Sequence, residues 1–233
     1  MLELGYWNIK GQAELSRILL NYLGLEYKDH HPNSAEEWYQ TEKQQLDAPF
    51  PNLPYLKDGD FIVTESCAIP FYLACKADRK DLLGLNAVEQ SHIKSVDSVA
   101  SEIVQVLFKY SNSPNYEAEY KQAFSDGGTV LTKIEQISNL LGDKEWLFGH
   151  LTLADFRVYH ALDWARIFAI STNTPCPVCV FENVRNLMKR ISDLPRVKEF
   201  LSTRGEIQYM PTGFMRVNML TTAEICGTAN HSQ

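Results

Sequence analysis

Along the first third of the chain, hydrophobic residues switch between strand-like and helix-like spacing. The apolar run Leu2–Trp7 predicts a strand, and Gly11 separates it from a helix that should end at Gly24, a residue suited to a left-handed cap. The apolar positions of that helix lie three and four residues apart: Leu15, Ile18, Leu19, Tyr22 and Leu23. A second strand over about Glu26–His30 completes a β-α-β unit.

The next stretch continues the alternation of helix and strand. Residues 34–46 are polar and rich in Glu and Gln, which predicts a weakly packed surface helix. Tyr55–Lys57 and Phe61–Thr64 are strand-like and flank an Asp-Gly turn signal, so they predict a hairpin. Ser66 is expected to cap a helix that runs to about Ala77. The predicted order is therefore β-α-β-α-β-β-α.

Beyond a polar linker at residues 78–89 the pattern becomes helical throughout. One apolar stripe predicts a long amphipathic helix, and its members are Ile93, Val96, Val99, Ile103, Val106 and Tyr110. Further helices are predicted over about Glu117–Leu141, 181–192 and 195–203.

Two helix-start signals coincide between the helices predicted over Glu117–Leu141 and 181–192. Thr152 and Asp155 have the spacing of a capping box, with Asp in place of the usual Glu. Leu151 and Phe156 have the spacing of a hydrophobic staple around the same helix start. A further helix is therefore expected to begin at this point.

These patterns divide the chain into three segments. An α/β domain is predicted over residues 1–80, an all-helical domain over 88–220 and a polar tail over 221–233. Hydrophobic residues make up 45% and charged residues 22%, as in an ordinary globular protein. The net charge of −7 argues against a nucleic-acid partner, and no apolar run approaches the length of a membrane span.

Five cysteines, at positions 67, 75, 176, 179 and 226, form no disulfide framework. Because Met1 leads directly into a strand without a signal peptide, we expect a cytoplasmic protein with reduced thiols. Cys176 and Cys179 have the spacing of a redox or half-zinc motif. They fall in an inter-helix loop without a second pair of ligands, so they are interpreted as incidental and no metal site is predicted.

The most unusual stretch is Phe50–Leu56, in which two prolines bracket Asn52 and Leu53 just before a strand. An X-Pro bond in a tight turn ahead of a strand is where a cis peptide is most often found. The residue before such a proline is held extended, so the N–H and C=O of Leu53 should point outward. This backbone is expected to pair with an extended ligand.

Three motifs together resemble those of cytosolic glutathione S-transferases of the tyrosine type, and are most similar to the mu class. They are Gly5–Gly11 (GYWNIKG), Phe50–Leu56 (FPNLPYL) and Thr64–Ile69 (TESCAI). The resemblance covers roughly Met1 to Leu220. It implies a thioredoxin-like N-terminal domain, an all-helical C-terminal domain, a homodimer, and glutathione as cosubstrate without a further cofactor.

The resemblance makes Tyr6 the catalytic residue. Glutathione must present a thiolate to an electrophile, yet an ordinary thiol has a pKa of about 8.5. Lowering that pKa by about two units requires about 2.7 kcal/mol, and one hydrogen bond to a charged group supplies about 1.5–3 kcal/mol. A protonated Tyr6 that donates to the sulfur would therefore be nearly sufficient, and a tyrosine that only packs in the core is the alternative.

The resemblance also implies how most of glutathione is held. Leu53, flanked by Asn52 and Pro54, would pair its backbone with the cysteinyl backbone. Ser66 would offer its hydroxyl and a helix N-terminus to the γ-glutamyl carboxylate. Glu65 would face the γ-glutamyl ammonium, at a position where the mu pattern has glutamine.

At the glycyl end, the resemblance implies contacts from three more side chains. Lys43 would pair with the glycyl carboxylate, Trp38 would assist through its indole N–H, and Trp7 would contribute nearby. A solvated lysine and a surface-packing tryptophan are the simpler alternatives for Lys43 and Trp38.

The pocket for the electrophile is expected between the first strand–helix loop, the long helix and the C-terminal segment. Its candidate residues are Gln12, Tyr110, Tyr116 and Phe214. Tyr110 is preferred over Tyr116 as a second-site hydroxyl. An acidic residue of the long helix is expected to reach the partner subunit's glutathione, and Asp97 and Glu102 are both candidates.

The function that follows is conjugation of the glutathione thiolate to small hydrophobic electrophiles, a detoxification activity. A glutathione-dependent isomerase similar to prostaglandin D synthase and a non-catalytic ligand-binding relative are the alternatives. The intact set of Tyr6, Lys43, Asn52 and Ser66 argues against the last of these.

Overall fold

The computed structural model describes residues 1–205 together with 207 and 208. The predicted tail at 221–233 and the candidate pocket residue Phe214 lie outside these residues. The N-terminal part is built on a four-stranded mixed sheet, and the rest of the described chain is helical. This is the predicted α/β-then-α architecture.

The sheet has the strand order β2-β1-β3-β4, in which β1 pairs in parallel with β2 and antiparallel with β3. The strands are β1 (Leu2–Gly5), β2 (Tyr27–His30), β3 (Tyr55–Asp58) and β4 (Phe61–Thr64). The predicted hairpin is confirmed, because β3 and β4 pair antiparallel.

Three helical segments accompany the sheet. Helix α1 covers Glu14–Leu23 and ends at Gly24, whose φ of 67° and ψ of 32° are those of the expected left-handed cap. A surface helix spans the expected region but is interrupted by a π-helical stretch over Trp38–Glu42. Helix α2 covers Ala68–Lys76.

The predicted cap of α2 at Ser66 is wrong by one residue. The helix begins after Cys67, whose side chain makes no capping hydrogen bond. Glu65 adopts a φ of 77°, and its carbonyl accepts the N–H groups of Ala68 and Ile69 at 3.0 and 3.2 Å. Because this backbone carbonyl serves the first turn, a side-chain cap is not needed there.

Six α-helices form the second part of the described chain. They are α3 (Ala87–Ser111), α4 (Tyr116–Ala123), α5 (Thr129–Leu141), α6 (Leu153–Ser171), α7 (Glu182–Ser192) and α8 (Pro195–Thr203), which are preceded by a 3-10 turn at Lys80–Leu83. Helix α6 is buried along most of its length and packs against α3. It therefore forms the centre of the helical core.

Two expectations for these helices need correction. The single helix predicted over Glu117–Leu141 is two helices, because Gly127 has a φ of 73° and a side chain at Gly128 would lie 2.2 Å from the Gln122 carbonyl oxygen. The buried face of α3 is also rotated from the predicted stripe, since Val99, Val106 and Tyr110 are only partly buried. Its buried members are Ile93, Val96, Ala100, Ile103, Val104, Leu107 and Ser111.

Buried charges join the two parts of the chain. The Lys10 ammonium lies 3.2 Å from the Asp163 carboxylate on α6, and burial lowers the pKa of Lys10 to about 8. Glu14, at the start of α1, pairs with Arg204 just after α8. The Lys10 backbone N–H also donates to the Gln208 carbonyl at 2.8 Å. The loop between β1 and α1 and the start of α1 are thus fastened to α6 and to the chain that follows α8.

The capping box at the start of α6 is confirmed. The Asp155 carboxylate, fully buried, accepts the backbone N–H of Thr152 at 2.8 Å and that of Leu147 at 2.9 Å. One side chain therefore holds the preceding loop against the first turn of the helix. None of the helices in the described residues is long and apolar enough to cross a membrane.

Replacing Asp155 by alanine should lower the free energy of unfolding by about 3 kcal/mol, because two buried N–H groups lose their acceptor. Urea denaturation followed by circular dichroism measures this loss. The control is Asn86→Ala at the exposed N-cap of α3, whose amide oxygen accepts from Val88 and Glu89. That variant should lose only about 1 kcal/mol. Equal losses would contradict the importance of burial.

Candidate active site

The ends of all four strands meet at one edge of the sheet. Gly5, the last residue of β1, pairs with His30 on β2 and with Tyr55 on β3, and Tyr55 pairs with Thr64 on β4. The residues that follow or precede these positions must therefore lie side by side. Several of the candidate residues, among them Tyr6, Leu53 and Glu65, occupy those flanking positions.

The proline loop lies at this edge with the expected backbone. The Leu53–Pro54 peptide bond is cis, as predicted. Leu53 is partly buried, Asn52 is exposed, and the backbone of Leu53 makes no hydrogen bond within the described chain. The Thr64 hydroxyl donates to the Phe50 carbonyl at 2.9 Å and so ties the loop to the end of β4. The loop therefore presents a residue whose backbone is unpaired within the described chain, on a support fixed at Thr64.

Tyr6 is held on both sides of its backbone. Its N–H donates to the His30 carbonyl at 3.0 Å, and its carbonyl lies 2.9 Å from Nδ1 of His31. Its hydroxyl oxygen accepts the Gln12 backbone N–H at 3.1 Å, and within the described residues the hydroxyl proton has no acceptor. Burial raises the pKa of Tyr6, against the opposing effects of the Gln12 N–H and the Arg17 charge. The site thus contains a neutral phenol with a free proton.

Arg17 was not identified from the sequence. Its guanidinium is buried, pairs with Asp29 at 2.7 Å and donates to the carbonyls of Ile9 and Lys10 at 2.7 and 3.3 Å. These bonds shape the loop that follows Tyr6. The signal available in the sequence was an arginine directly before the apolar run Ile18–Leu20 of α1.

The same loop is supported by His160 on α6, which the sequence did not indicate either. Nε2 of His160 lies 3.1 Å from the Gly11 carbonyl oxygen and 3.3 Å from Nε1 of Trp164, and it donates to the carbonyl when it carries the ring proton. Burial, followed by the Arg157 charge, lowers the pKa of His160 to about 4, and the ring is neutral at pH 7. Gly11 has a φ of 44°, and a side chain there would lie 2.5 Å from the Tyr6 ring. Close packing therefore fixes the Tyr6 hydroxyl.

Ser66 and Glu65 lie at the end of β4 and before α2. The Ser66 side chain is partly buried and its hydroxyl makes no hydrogen bond within the described chain, while its carbonyl accepts from Arg157 at 3.0 Å. Arg157 in turn pairs with Asp97 of α3 at 2.5 Å. Glu65 is exposed and holds a left-handed backbone that costs a residue with a side chain about 1 kcal/mol or more. Such local strain is common at ligand sites.

The predicted glycyl-end residues lie in the interrupted surface helix. Trp38 is only 2% exposed, with its ring edge-on to Trp7 and stacked on Tyr55 at centroid distances of 6.5 Å. The Lys43 ammonium lies over the exposed ring of Tyr39, 5.8 Å from its centroid. The Trp38 ring is therefore packed between Trp7 and Tyr55, and Lys43 has a cation–π contact that is weak enough to exchange for an anion.

A cavity of about 660 Å³ opens beside Tyr6. Trp7, Ile9 and Gln12 line its near side, together with Tyr39 and residues 32–35, and its far side consists of Val104, Gln105, Phe108 and Lys109 of α3. Lys109 is the single charged side chain among the described lining residues. The cavity is thus mainly apolar and adjoins the phenol.

Three of the four candidate pocket residues are not in this lining as the structure describes it. Tyr110 faces Tyr120, with ring centroids 6.1 Å apart, and Tyr116 packs on the same ring from 6.5 Å. Phe214 lies outside the described residues. Gln12 does line the cavity. The sequence pattern did not identify the face of α3 that lines the cavity, which consists of residues 104, 105 and 108. The available signal was their helical spacing, together with an aromatic residue, Phe108, that is exposed.

The two acidic candidates of α3 have different surroundings. Asp97 lies on the Ser66 side through its Arg157 pair, and Glu102 pairs with Lys133 of α5. Among the described residues, no group of three His, Cys, Asp or Glu side chains could hold a metal ion.

Family models match most of the chain. The model of the glutathione S-transferase N-terminal domain matches residues 2–75, and that of the C-terminal domain matches residues 98–204. The class-mu 26 kDa isozyme 51 of Fasciola hepatica is 31% identical over 212 residues, which are 89% of this chain and 91% of that protein. Glutathione S-transferase Mu 2 of Mus musculus is 32% identical over 211 residues, with 87% and 91% covered.

Solved structures agree with the sequence relatives. The crystal structure of the glutathione S-transferase Blo t 8 has a TM-score of 0.78 at 28% identity and covers 92% of this chain and 99% of that one. Rat hPGDS complexed with a quinoline has a TM-score of 0.71 at 23% identity, with 86% and 96% covered, and is similar in fold alone. The predicted fold class and the resemblance read from the three motifs are confirmed.

His160→Gln should reduce the pH dependence of stability. The folded-state pKa of His160 lies near 4, below the ordinary 6.5, so the unfolded chain takes up this proton first as the pH falls. The wild type should therefore lose about 3 kcal/mol more than the variant between about pH 6.5 and pH 4. Urea denaturation at a series of pH values measures the difference.

The control for that series is His92→Gln, which removes an exposed histidine from α3. Its stability should follow that of the wild type across the pH range. Parallel curves for the wild type and His160→Gln would contradict the assignment of a buried, neutral ring.

Proposed function

The chain belongs to the glutathione S-transferase family, and we propose that it joins the glutathione thiolate to small hydrophobic electrophiles, with Tyr6 stabilising the thiolate. The observation that carries this proposal is the Tyr6 hydroxyl. It is buried, it accepts the Gln12 N–H, and its own proton is free to donate at the wall of an apolar cavity.

The chemistry needs no more than this one donor and a fixed position. A hydrogen bond from a neutral phenol to a thiolate contributes about 1.5–3 kcal/mol, which lowers a thiol pKa of about 8.5 by about one to two units. The raised pKa of Tyr6 keeps its proton in place, so the sulfur and not the phenol is ionised. The thiol proton leaves to solvent, and the sulfur lone pair attacks the electrophile.

Glutathione is proposed to lie along the sheet edge as an extended chain. The unpaired backbone of Leu53 suits its cysteinyl backbone, with Asn52 beside it. The uncommitted hydroxyl of Ser66 suits the γ-glutamyl carboxylate, and exposed Glu65 suits the ammonium group. Because β1, β3 and β4 are neighbours in the sheet, these groups are proposed to line one edge together with Tyr6.

The glycyl carboxylate is proposed to bind at the interrupted surface helix. Lys43 can leave the Tyr39 ring for this carboxylate at little cost, because an exposed cation–π contact contributes about 0.5–1 kcal/mol. The Trp38 indole makes no hydrogen bond within the described chain and can donate its N–H, with Trp7 packed against it. No further cofactor is proposed.

The electrophile is proposed to occupy the cavity between Gln12 and Phe108. An apolar cavity of this size admits small aromatic or unsaturated compounds next to the sulfur. Some neighbours in fold are prostaglandin D synthases, but at 21–23% identity they carry no argument for isomerisation here. Conjugation therefore stands as the proposed activity.

A homodimer in the cytoplasm is the proposed setting. Phe50, Phe61 and Phe71 are 75%, 49% and 46% exposed, and a second copy would cover such large apolar side chains. Asp97 pairs with Arg157, which donates to the Ser66 carbonyl. Of the two acidic candidates, Asp97 is therefore proposed to reach the partner subunit's glutathione.

Tyr6→Phe should keep glutathione affinity and lose about tenfold to a hundredfold in kcat, because the variant removes only the hydrogen bond to the thiolate. The assay follows conjugation of a chromogenic aryl halide, with glutathione affinity measured by calorimetry. Tyr27→Phe, which removes a hydroxyl bonded to Asn21 outside the cavity, is the matched control and should retain wild-type turnover. Unchanged turnover in Tyr6→Phe would disprove the role of Tyr6, and absence of glutathione binding in the wild type would disprove the function.

Gly11→Ala should reduce kcat/KM about tenfold or more, because the new methyl group would lie 2.5 Å from the Tyr6 ring and 2.7 Å from its hydroxyl. Gly59→Ala is the control. Gly59 has a similar φ of 61° but no atom within 4 Å of the added group. Both variants bear the same backbone cost of about 1 kcal/mol, so a loss of activity in both would point to backbone strain rather than to Tyr6.

A further inference from the structure

The loop between α6 and α7 brings two thiols together. Cys176 directly precedes the 3-10 turn Pro177–Val180 and Cys179 lies within that turn, where its N–H donates to the Cys176 carbonyl at 3.1 Å. Pro177 and Val178 are buried and anchor the turn in the helical core. From their spacing alone we interpret the two cysteines as incidental, but the turn that carries them is anchored by buried residues.

The two cysteines differ in a way that suits a pair of unequal roles. Cys179 is exposed, and Cys176 is partly buried and packs against the hydrophobic core. Burial, with the hydrogen bond and charge of Cys179, raises the pKa of Cys176 to about 11. Cys176 therefore keeps its proton at pH 7 and contacts the thiol that solvent can reach.

The other described cysteines lack this arrangement. Cys67 is exposed at the start of α2 and Cys75 lies near the end of the same helix, and neither has a cysteine at CxxC spacing. A metal site is not favoured, since no third ligand stands near the pair within the described residues. Two adjoining thiols without a metal are the arrangement of a dithiol–disulfide couple.

We propose that Cys176 and Cys179 form a reversible redox pair that exchanges with small-molecule disulfides, of which glutathione disulfide is the probe of choice. The exposed Cys179 thiolate attacks one sulfur of the small disulfide. That S–S bond breaks, and one small thiolate leaves with the electron pair. A mixed disulfide at Cys179 results.

Cys176 then completes the exchange. It gives its proton to solvent and attacks Sγ of Cys179, and the second small thiolate leaves. Two protein thiols are thereby oxidised to one disulfide, and the small disulfide is reduced to two thiols. The inference goes beyond the proposed conjugation and does not depend on it, because neither cysteine lines the Tyr6 cavity.

The experiment equilibrates the full chain with mixtures of reduced and oxidised glutathione, quenches it with acid, and maps the cysteines by mass spectrometry. The expected result is one disulfide between Cys176 and Cys179, with both thiols lost together as the mixture becomes more oxidising. No disulfide at any ratio, or a disulfide from either residue to another cysteine, would overturn the proposal.

Two variants separate the roles. Cys176→Ser should stop at the mixed disulfide and retain one glutathione on Cys179. In Cys179→Ser, Cys176 should react about tenfold more slowly than Cys179 does in Cys176→Ser, because the partly buried Cys176 is less accessible to the small disulfide than the exposed Cys179. Equal rates would contradict the division of roles. Cys67→Ser is the control and should leave the disulfide unchanged. Aryl-halide conjugation by Cys179→Ser should equal that of the wild type, so a failure here is distinct from a failure of the proposed function.

Discussion

The register of the central sheet is the constraint on which the site depends. Gly5, His30, Tyr55 and Thr64 lie side by side, so the residues beyond these strand ends are neighbours despite their distance in sequence. A slip of one residue between any two strands would turn side chains to the opposite face and separate these groups. The apolar residues of β1 and β3, with Leu4 and Leu56 fully buried, fix that register. The positions that would bind a ligand are thus set by hydrophobic burial.

A second layer of buried polar groups holds the loop after Tyr6. Arg17 bonds its carbonyls from α1, and His160 bonds the Gly11 carbonyl from α6. Both side chains are nearly inaccessible to water, where an unpaired polar group is costly. The geometry of the phenol therefore depends on contacts from both domains, and substitutions far from the cavity can act on it.

Much of the fold was predictable because its signals are local. The β-α-β unit, the hairpin, the Gly24 cap and the Thr152–Asp155 box each depend on residues a few positions apart. The cap of α2 was misplaced because a backbone carbonyl, at Glu65, replaced the side chain that propensity favours. The helix predicted over Glu117–Leu141 was too long because its apolar pattern continues across Gly127 and Gly128. The backbone turns at this glycine pair and divides the segment into two helices.

Candidate site residues could be predicted where they belong to sequence motifs, and could not be predicted where tertiary packing determines which residues are in contact. Tyr6, Leu53 and Ser66 could be named as candidates because they belong to contiguous motifs. The contact of His160 with Gly11 joins residues 149 positions apart, and no periodicity records it. The choice of Phe108 over Tyr110 for the cavity depends on the rotation of α3 about its axis, which is set by packing against α6.

The ion pairs of Lys10 with Asp163 and of Glu14 with Arg204 have a consequence for how such proteins diversify. A helical domain exchanged from another chain could match the apolar surface of the N-terminal domain and still leave the buried ammonium of Lys10 without the carboxylate of Asp163. Such an unpaired charge costs about 3–5 kcal/mol, a large part of a typical domain's stability. Recombination between the two domains is therefore restricted to chains that exchange both partners of each ion pair. These buried charges thus limit which helical domains, and which electrophile pockets, can evolve on this N-terminal domain.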